Sequence, residues 1–155
     1  MANGDTTYLQ TPLYVLLSQK DQNLEHVSRS ATVGDAVTVM NTRMISSVLV
    51  MEDDELIGIF TERDVLARVV GAHLDPVDTP IVEVMTTDLV HIQPSATVQD
   101  ALRVMNLASC RHLPVVDDDR LVGIISAGDL TRWMVHNQEQ RIDDLVRYIT
   151  GGYPD

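Results

Sequence analysis

Shifted by 65 positions, the chain matches itself without a gap across its centre, and an internal repeat of this size dictates the architecture before any local propensity does. Ser30-Ala31-Thr32-Val33 returns as Ser95-Ala96-Thr97-Val98, and Asp35-Ala36 as Asp100-Ala101. Val39-Met40-Asn41 returns as Val104-Met105-Asn106, Gly58-Ile59 as Gly123-Ile124, and Asp64 as Asp129. The lead-ins Thr11-Pro12 and Thr79-Pro80 lie 68 apart, so the first copy carries three extra residues near Gln19 to Asn23. The chain is two copies of one unit, joined around Gly71 to Asp78.

Each copy reads β-α-β-β-α. Leu24 to Val27 and Leu89 to Ile92 are expected as short first strands. Thr32 and Thr97 have the spelling of helix N-caps, each with an Asp three residues on. Apolar residues then follow at helical spacing: Val33, Ala36, Val37 and Met40, and again Val98, Ala101, Leu102 and Met105. Val48 to Met51 and Leu113 to Val116 are strand-length apolar runs, followed by acidic turns at Glu52 to Glu55 and Asp117 to Arg120. The return strands are Leu56 to Phe60 and Leu121 to Ile125. A second helix starts at Thr61 or Ser126; its apolar positions are Val65, Leu66, Val69 and Val70, or Leu130, Met134 and Val135. A unit this small cannot cover both faces of its sheet, so an α+β fold with the copies packed about a pseudo-twofold axis is expected. The expected boundaries are 11–70 and 79–136 for the repeats, with 137–155 as a C-terminal amphipathic helix and tail. In that tail Ile142, Leu145, Val146 and Ile149 share one face and Gly151-Gly152 ends the pattern. The face either caps the protein's own core or docks across a dimer interface.

The 155 residues carry a net charge of −12 and 4% aromatics. That balance speaks against nucleic acid, which needs a basic face or stacking platforms, and against an anionic membrane surface. No apolar run approaches the length of a bilayer span, and Met1 to Gln10 lacks the basic and apolar regions of a secretory signal. One cysteine, Cys110, forms no internal disulfide and reads as a small hydrophobe. The five histidines show no metal-ligand spacing. A cytoplasmic setting is the expectation. Lys20 is the single lysine, so the cations are otherwise arginines.

The strand-to-helix junctions carry the chemistry. Gly58-Ile59-Phe60-Thr61-Glu62-Arg63-Asp64 and Gly123-Ile124-Ile125-Ser126-Ala127-Gly128-Asp129 each join a strand glycine, a hydroxyl and a carboxylate. A glycine in a strand admits close approach of another backbone or a ligand. A hydroxyl at a helix start can donate to a ribose or phosphate oxygen, and a carboxylate one turn on can accept both ribose hydroxyls. The same spelling also suits a helix-capping pair.

These junctions resemble the G-h-x-[ST]-x-x-D signature of CBS domains, the cystathionine-β-synthase-type repeats, and Arg111-His112-Leu113-Pro114-Val115-Val116-Asp117 is similar to the family's H-x-P-V-V-D strand. The resemblance covers Thr11 to His136 and includes the tandem arrangement of a Bateman module. It implies a non-catalytic sensor of adenosine-containing ligands (AMP, ADP or ATP, with NAD(H) and S-adenosylmethionine as further candidates), commonly as a homodimer. No cofactor is required; an adenine nucleotide is the regulatory ligand, and a regulated enzyme or transporter is the expected further partner.

The resemblance also implies two clefts. One combines Ile59, Thr61, Arg63 and Asp64 with Val90, Cys110, Arg111, His112 and Pro114, and its cations suit a nucleotide phosphate. The other combines Ile124, Ser126 and Asp129 with Glu25, Ile45, Ser46 and Ser47. There Ser46-Ser47 replaces Arg111-His112, Gly128 replaces Arg63, and Glu25 stands as an uncompensated carboxylate that repels phosphate. Two unequal sites are expected, the tighter phosphate site at Asp64. A structural dimerisation or adaptor module with vestigial clefts is the competing reading. An enzyme finds no nucleophile with a base, no P-loop and no metal set to support it.

Overall fold

The computed structural model describes residues 7–21 and 24–149, which divide into two compact units, each with its own core. One gathers residues 7–21, 92–115 and 124–149, and the other 24–91 and 116–123. The fold is α+β, as the repeat pattern implies.

In the second of these units, β1 (His26–Ser28), β2 (Ser47–Glu52) and β3 (Glu55–Thr61) form one sheet in that order. β1 runs parallel to β2, and β2 antiparallel to β3. The parallel pair requires a crossover, which α2 (Val33–Arg43) supplies. Its start is fixed by a capping box: Asp35 N–H donates to Thr32 Oγ1 at 3.2 Å and Thr32 N–H to Asp35 Oδ2 at 2.9 Å. The β2–β3 turn places Asp53 and Asp54 at positive φ, the pair of left-handed residues that matches the twist of a tight hairpin. Val27, Val33, Ala36, Met40, Val48, Val50, Phe60, Val69, Ile81 and Val84 make the core.

The other unit holds α1 (Leu13–Gln19), α4 (Val98–Ala108) and α5 (Ala127–Ile149), α3 being the single turn Glu62–Asp64 that follows β3. β4 (His112–Asp117) and β5 (Arg120–Ser126) pair as a hairpin, again with two aspartates, Asp118 and Asp119, at positive φ in its turn. Leu13, Leu16, Ile92, Val98, Ala101, Met105, Leu113, Val115, Ile125 and Leu130 form its core. The lead-ins are exchanged between the copies. Thr11 and Leu13 bond the start of α4 (Val98 N–H to Thr11 O, 3.0 Å; Leu13 N–H to Ala96 O, 2.8 Å). Thr79 and Ile81 bond the start of α2 in the same way (Val33 N–H to Thr79 O, 2.9 Å; Ile81 N–H to Ala31 O, 2.9 Å).

α4 repeats the capping box of α2, with Thr97 N–H donating to Asp100 Oδ2 at 3.0 Å and Asp100 N–H to Thr97 Oγ1 at 3.1 Å. The Thr97 backbone and hydroxyl hydrogen bonds hold the Asp100 carboxyl below its usual range. Thr97→Ala removes the hydroxyl half of the box and is expected to lower stability by about 1 kcal/mol, read as a lower urea midpoint with an unchanged slope.

Three expectations are corrected. The first strand starts at His26 rather than Leu24, and Leu89 to Ile92 contributes a single bridge, Ile92 to Val115, in place of a strand. The reason lies at a repeat-equivalent position. Leu49 N–H donates to Glu25 O at 3.2 Å in the first copy, whereas its counterpart Pro114 has no N–H to donate. Second, the helix after Thr61 is one α-turn, Glu62–Asp64, that continues as a π-helical segment, Val65–Val70, ending where Gly71 N–H reaches Leu66 O at 2.9 Å. The wider turn changes which residues share a face, so Val69 is buried while Leu66 is 69% exposed. Third, the second copy's last helix and the tail helix are one continuous α5. Its Ile142 and Leu145 are about 60% exposed, so they do not cap the core of their own unit. The side chain of Ile149 and the Gly151-Gly152 stop lie outside the described residues.

Candidate functional site

The two junctions place their carboxylates by the same local chemistry. β3 ends at Thr61, whose N–H donates to Asp64 Oδ2 at 2.9 Å and whose hydroxyl lies 3.2 Å from the same oxygen. In the second copy Ser126 N–H donates to Asp129 Oδ2 at 2.8 Å, and Asp129 N–H returns a bond to Ser126 Oγ at 3.1 Å. Both pairs therefore cap their helices. Capping draws on Oδ2, and the two aspartates differ in what engages the rest of the carboxylate.

Asp64 is 6% exposed. Its Oδ1 accepts from Thr86 Oγ1 at 3.3 Å and faces Arg68 Nε at 3.5 Å. Arg68 also donates to the carbonyls of Val84 (3.3 Å) and Met85 (2.9 Å), and Thr86 bridges Ile59 through Ile59 N–H to Thr86 O (3.0 Å) and Thr86 N–H to Ile59 O (2.8 Å). The segment 84–86 thus lies along β3 and supplies a second hydroxyl to the carboxylate. It also accounts for Gly58: a Cβ there would stand 2.4 Å from Met85 Sδ. Thr86, Met85 and Arg68 were not legible from the junction motif, although the segment falls in the lead-in to the second repeat.

Asp129 sits in a different setting. Lys20 Nζ donates to its Oδ2 at 2.7 Å and to Ile124 O at 3.0 Å, and Arg132, one turn along α5, pairs with Oδ1. Burial pushes this carboxyl up, but the Lys20 and Ser126 hydrogen bonds outweigh it and hold it below its usual range. Beside the pair opens a cleft of about 270 Å³ with Leu16, Gln19, Ile125, Trp133 and His136 on its walls. Trp133 is anchored by its indole N–H, which donates to Tyr8 O at 3.2 Å.

Glu25, Ile45, Ser46, Ser47, Ile59, Thr61, Arg63, Asp64 and Val90 belong to one unit, and Cys110, Arg111, His112, Pro114, Ile124, Ser126 and Asp129 to the other. Within the first, Ser47 pairs with Thr61 across β2 and β3, and Glu62 N–H donates to Ser46 O at 3.1 Å. The repeat-equivalent bond in the second runs from Ala127 N–H to Arg111 O at 2.8 Å. Glu25 is not uncompensated, as its place in the sequence suggested: Arg43 Nε lies 3.1 Å from Glu25 Oε1. Lys20 and Arg132 likewise pair with Asp129. Cys110 packs at the edge of its core, and burial pushes its thiol up, away from thiolate reactivity. Among the described residues no helix is long and apolar enough to cross a membrane, and no group of three or more His, Cys, Asp or Glu is placed to hold a metal ion.

The family model for the CBS domain matches the chain twice, over residues 20–71 and 81–136. The CBS domain-containing protein CBSX3, mitochondrial, of Arabidopsis thaliana is 33% identical over 127 residues, 79% of this chain and 62% of that protein. The CBS domain-containing protein YhcV of Bacillus subtilis is 35% identical over 112 residues, 72% of this chain and 79% of the relative. A solved structure of a protein with CBS domains from Burkholderia ambifaria superposes with a TM-score of 0.80 at 31% identity, covering 83% of this chain and 96% of that one.

Proposed function

The chain belongs to the CBS-domain family, whose members are generally regulatory, ligand-binding modules, and on that premise we propose that it is a non-catalytic sensor of adenosine-containing ligands. The observation that carries the reading is the doubled junction: two carboxylates, Asp64 and Asp129, each at a helix start beside a hydroxyl and each buried enough to make its hydrogen bonds count. A sheltered carboxylate at such a place suits a ribose diol. Asp64 takes that role with Ile59 and Thr61, and Arg63 is the cation assigned to the phosphate. Asp129 takes it with Ile124 and Ser126. AMP, ADP and ATP are the first ligands to test.

A ligand that binds the folded chain alone raises its stability by mass action, about 2.7 kcal/mol at a hundredfold excess over Kd. The expected result is a melting temperature raised by about 5–10 °C in saturating AMP or ATP. Asp64→Ala and Asp129→Ala should each reduce the rise. The adaptor reading, favoured by the exposed Ile142 and Leu145 stripe of α5, predicts a concentration-dependent melting temperature that no adenosyl compound moves.

A further inference from the structure

Lys20 lies in the stretch near Gln19 to Asn23 where the first copy is three residues longer than the second, and it is the single lysine of the chain. Its side chain nevertheless reaches the Asp129 carboxylate at 2.7 Å and the Ile124 carbonyl at 3.0 Å. A ribose acceptor already holding an ammonium is not a vacant one. A neutral nucleoside that brings its two hydroxyls to Asp129 must replace an ion pair with hydrogen bonds in which only the carboxylate is charged, and it offers the released ammonium nothing. A ribonucleotide brings the same diol together with an anion. The ammonium is a compact charge on a flexible four-carbon stem and is only partly covered, so it can leave the carboxylate for the phosphate, while Arg132 and the Ser126 N–H stay on Asp129.

Resting on the adenosyl-binding reading above, we infer that Lys20 makes the Asp129 site selective for phosphorylated ribonucleosides over the free nucleoside. It acts as a resident competitor of the diol that only an anionic ligand converts into a partner.

The test uses a probe built into the cleft. Trp133 lines it and is the single tryptophan of the chain, so its emission reports this site separately from Asp64. The full chain is titrated with AMP and with adenosine, as wild type, Lys20→Met and Lys20→Arg. The wild type is expected to prefer AMP by about tenfold or more, the weight of one charge-assisted bond. Lys20→Met keeps the stem and loses the charge, and its preference should collapse to about threefold or less, with adenosine binding more tightly than in wild type. Lys20→Arg should retain the preference, which separates lost charge from lost fold. An unchanged AMP-to-adenosine ratio in Lys20→Met overturns the inference and leaves the sensor reading standing. A Trp133 signal that neither compound moves, while calorimetry records AMP binding, also overturns the inference alone. No binding of either compound by any method removes the sensor reading and the inference together.

Discussion

Phe60→Ala is expected to lower the stability of the unit built from residues 24–91 and 116–123 by about 3–5 kcal/mol. Phe60 is the chain's single phenylalanine, is fully inaccessible, and sits on β3 opposite Val48. Around it pack Val27, Val33, Met40, Val50 and Val69, several of them β-branched and stiff at χ1, so the space left by the ring cannot be refilled by rotation alone. The lost transfer free energy therefore adds to an open cavity. Domains of this size hold roughly 5–15 kcal/mol in total, so this single change removes a large share. Native-state hydrogen exchange at the β2 and β3 amides reads it directly. Protection lowered by less than about 1 kcal/mol would show that the core collapses onto the vacancy.

Gly58→Val is expected to destabilise by about 1–3 kcal/mol even though valine is the better strand residue. The penalty is steric: the new Cβ would meet Met85 Sδ at 2.4 Å and Met85 Cγ at 3.0 Å. Relief comes from turning the flexible Met85 side chain away from β3, at the cost of its packing there. Met85→Ala makes room, so the double variant should recover at least half of the Gly58→Val loss, a coupling of about 1 kcal/mol in a double-mutant cycle. Strict additivity would mean that the glycine is required by something other than Met85.

The repeat made the β-α-β-β-α order and both capping boxes legible, because Thr32…Asp35 and Thr97…Asp100 act through bonds three residues long that spacing alone specifies. It also located both acidic turns. What it concealed are the places where the two copies diverge. A strand needs donors as well as β-propensity, and Pro114 in place of Leu49 reduces the second copy's first strand to one bridge. A 3.6-residue periodicity cannot foresee a π-helical segment, so Leu66 was assigned to the wrong face. At the site, Thr61, Asp64, Ser126 and Asp129 could be read from the motif. Lys20, Arg68 and Thr86 could not, because they reach the carboxylates from other turns and segments, and Trp133 only lines the cleft beside Asp129. Lys20 in particular lies where the repeat alignment has a gap, and a gap carries no template for its role.

Calorimetric titration of the full chain asks whether the junctions at Asp64 and Asp129 bind a ligand. AMP, ADP, ATP, NAD(H) and S-adenosylmethionine are each titrated into wild type, Asp64→Ala and Asp129→Ala. The account predicts saturable heat from at least one adenine nucleotide, with each substitution abolishing part of it. Absence of heat from every compound, in a chain shown to be folded, would contradict it.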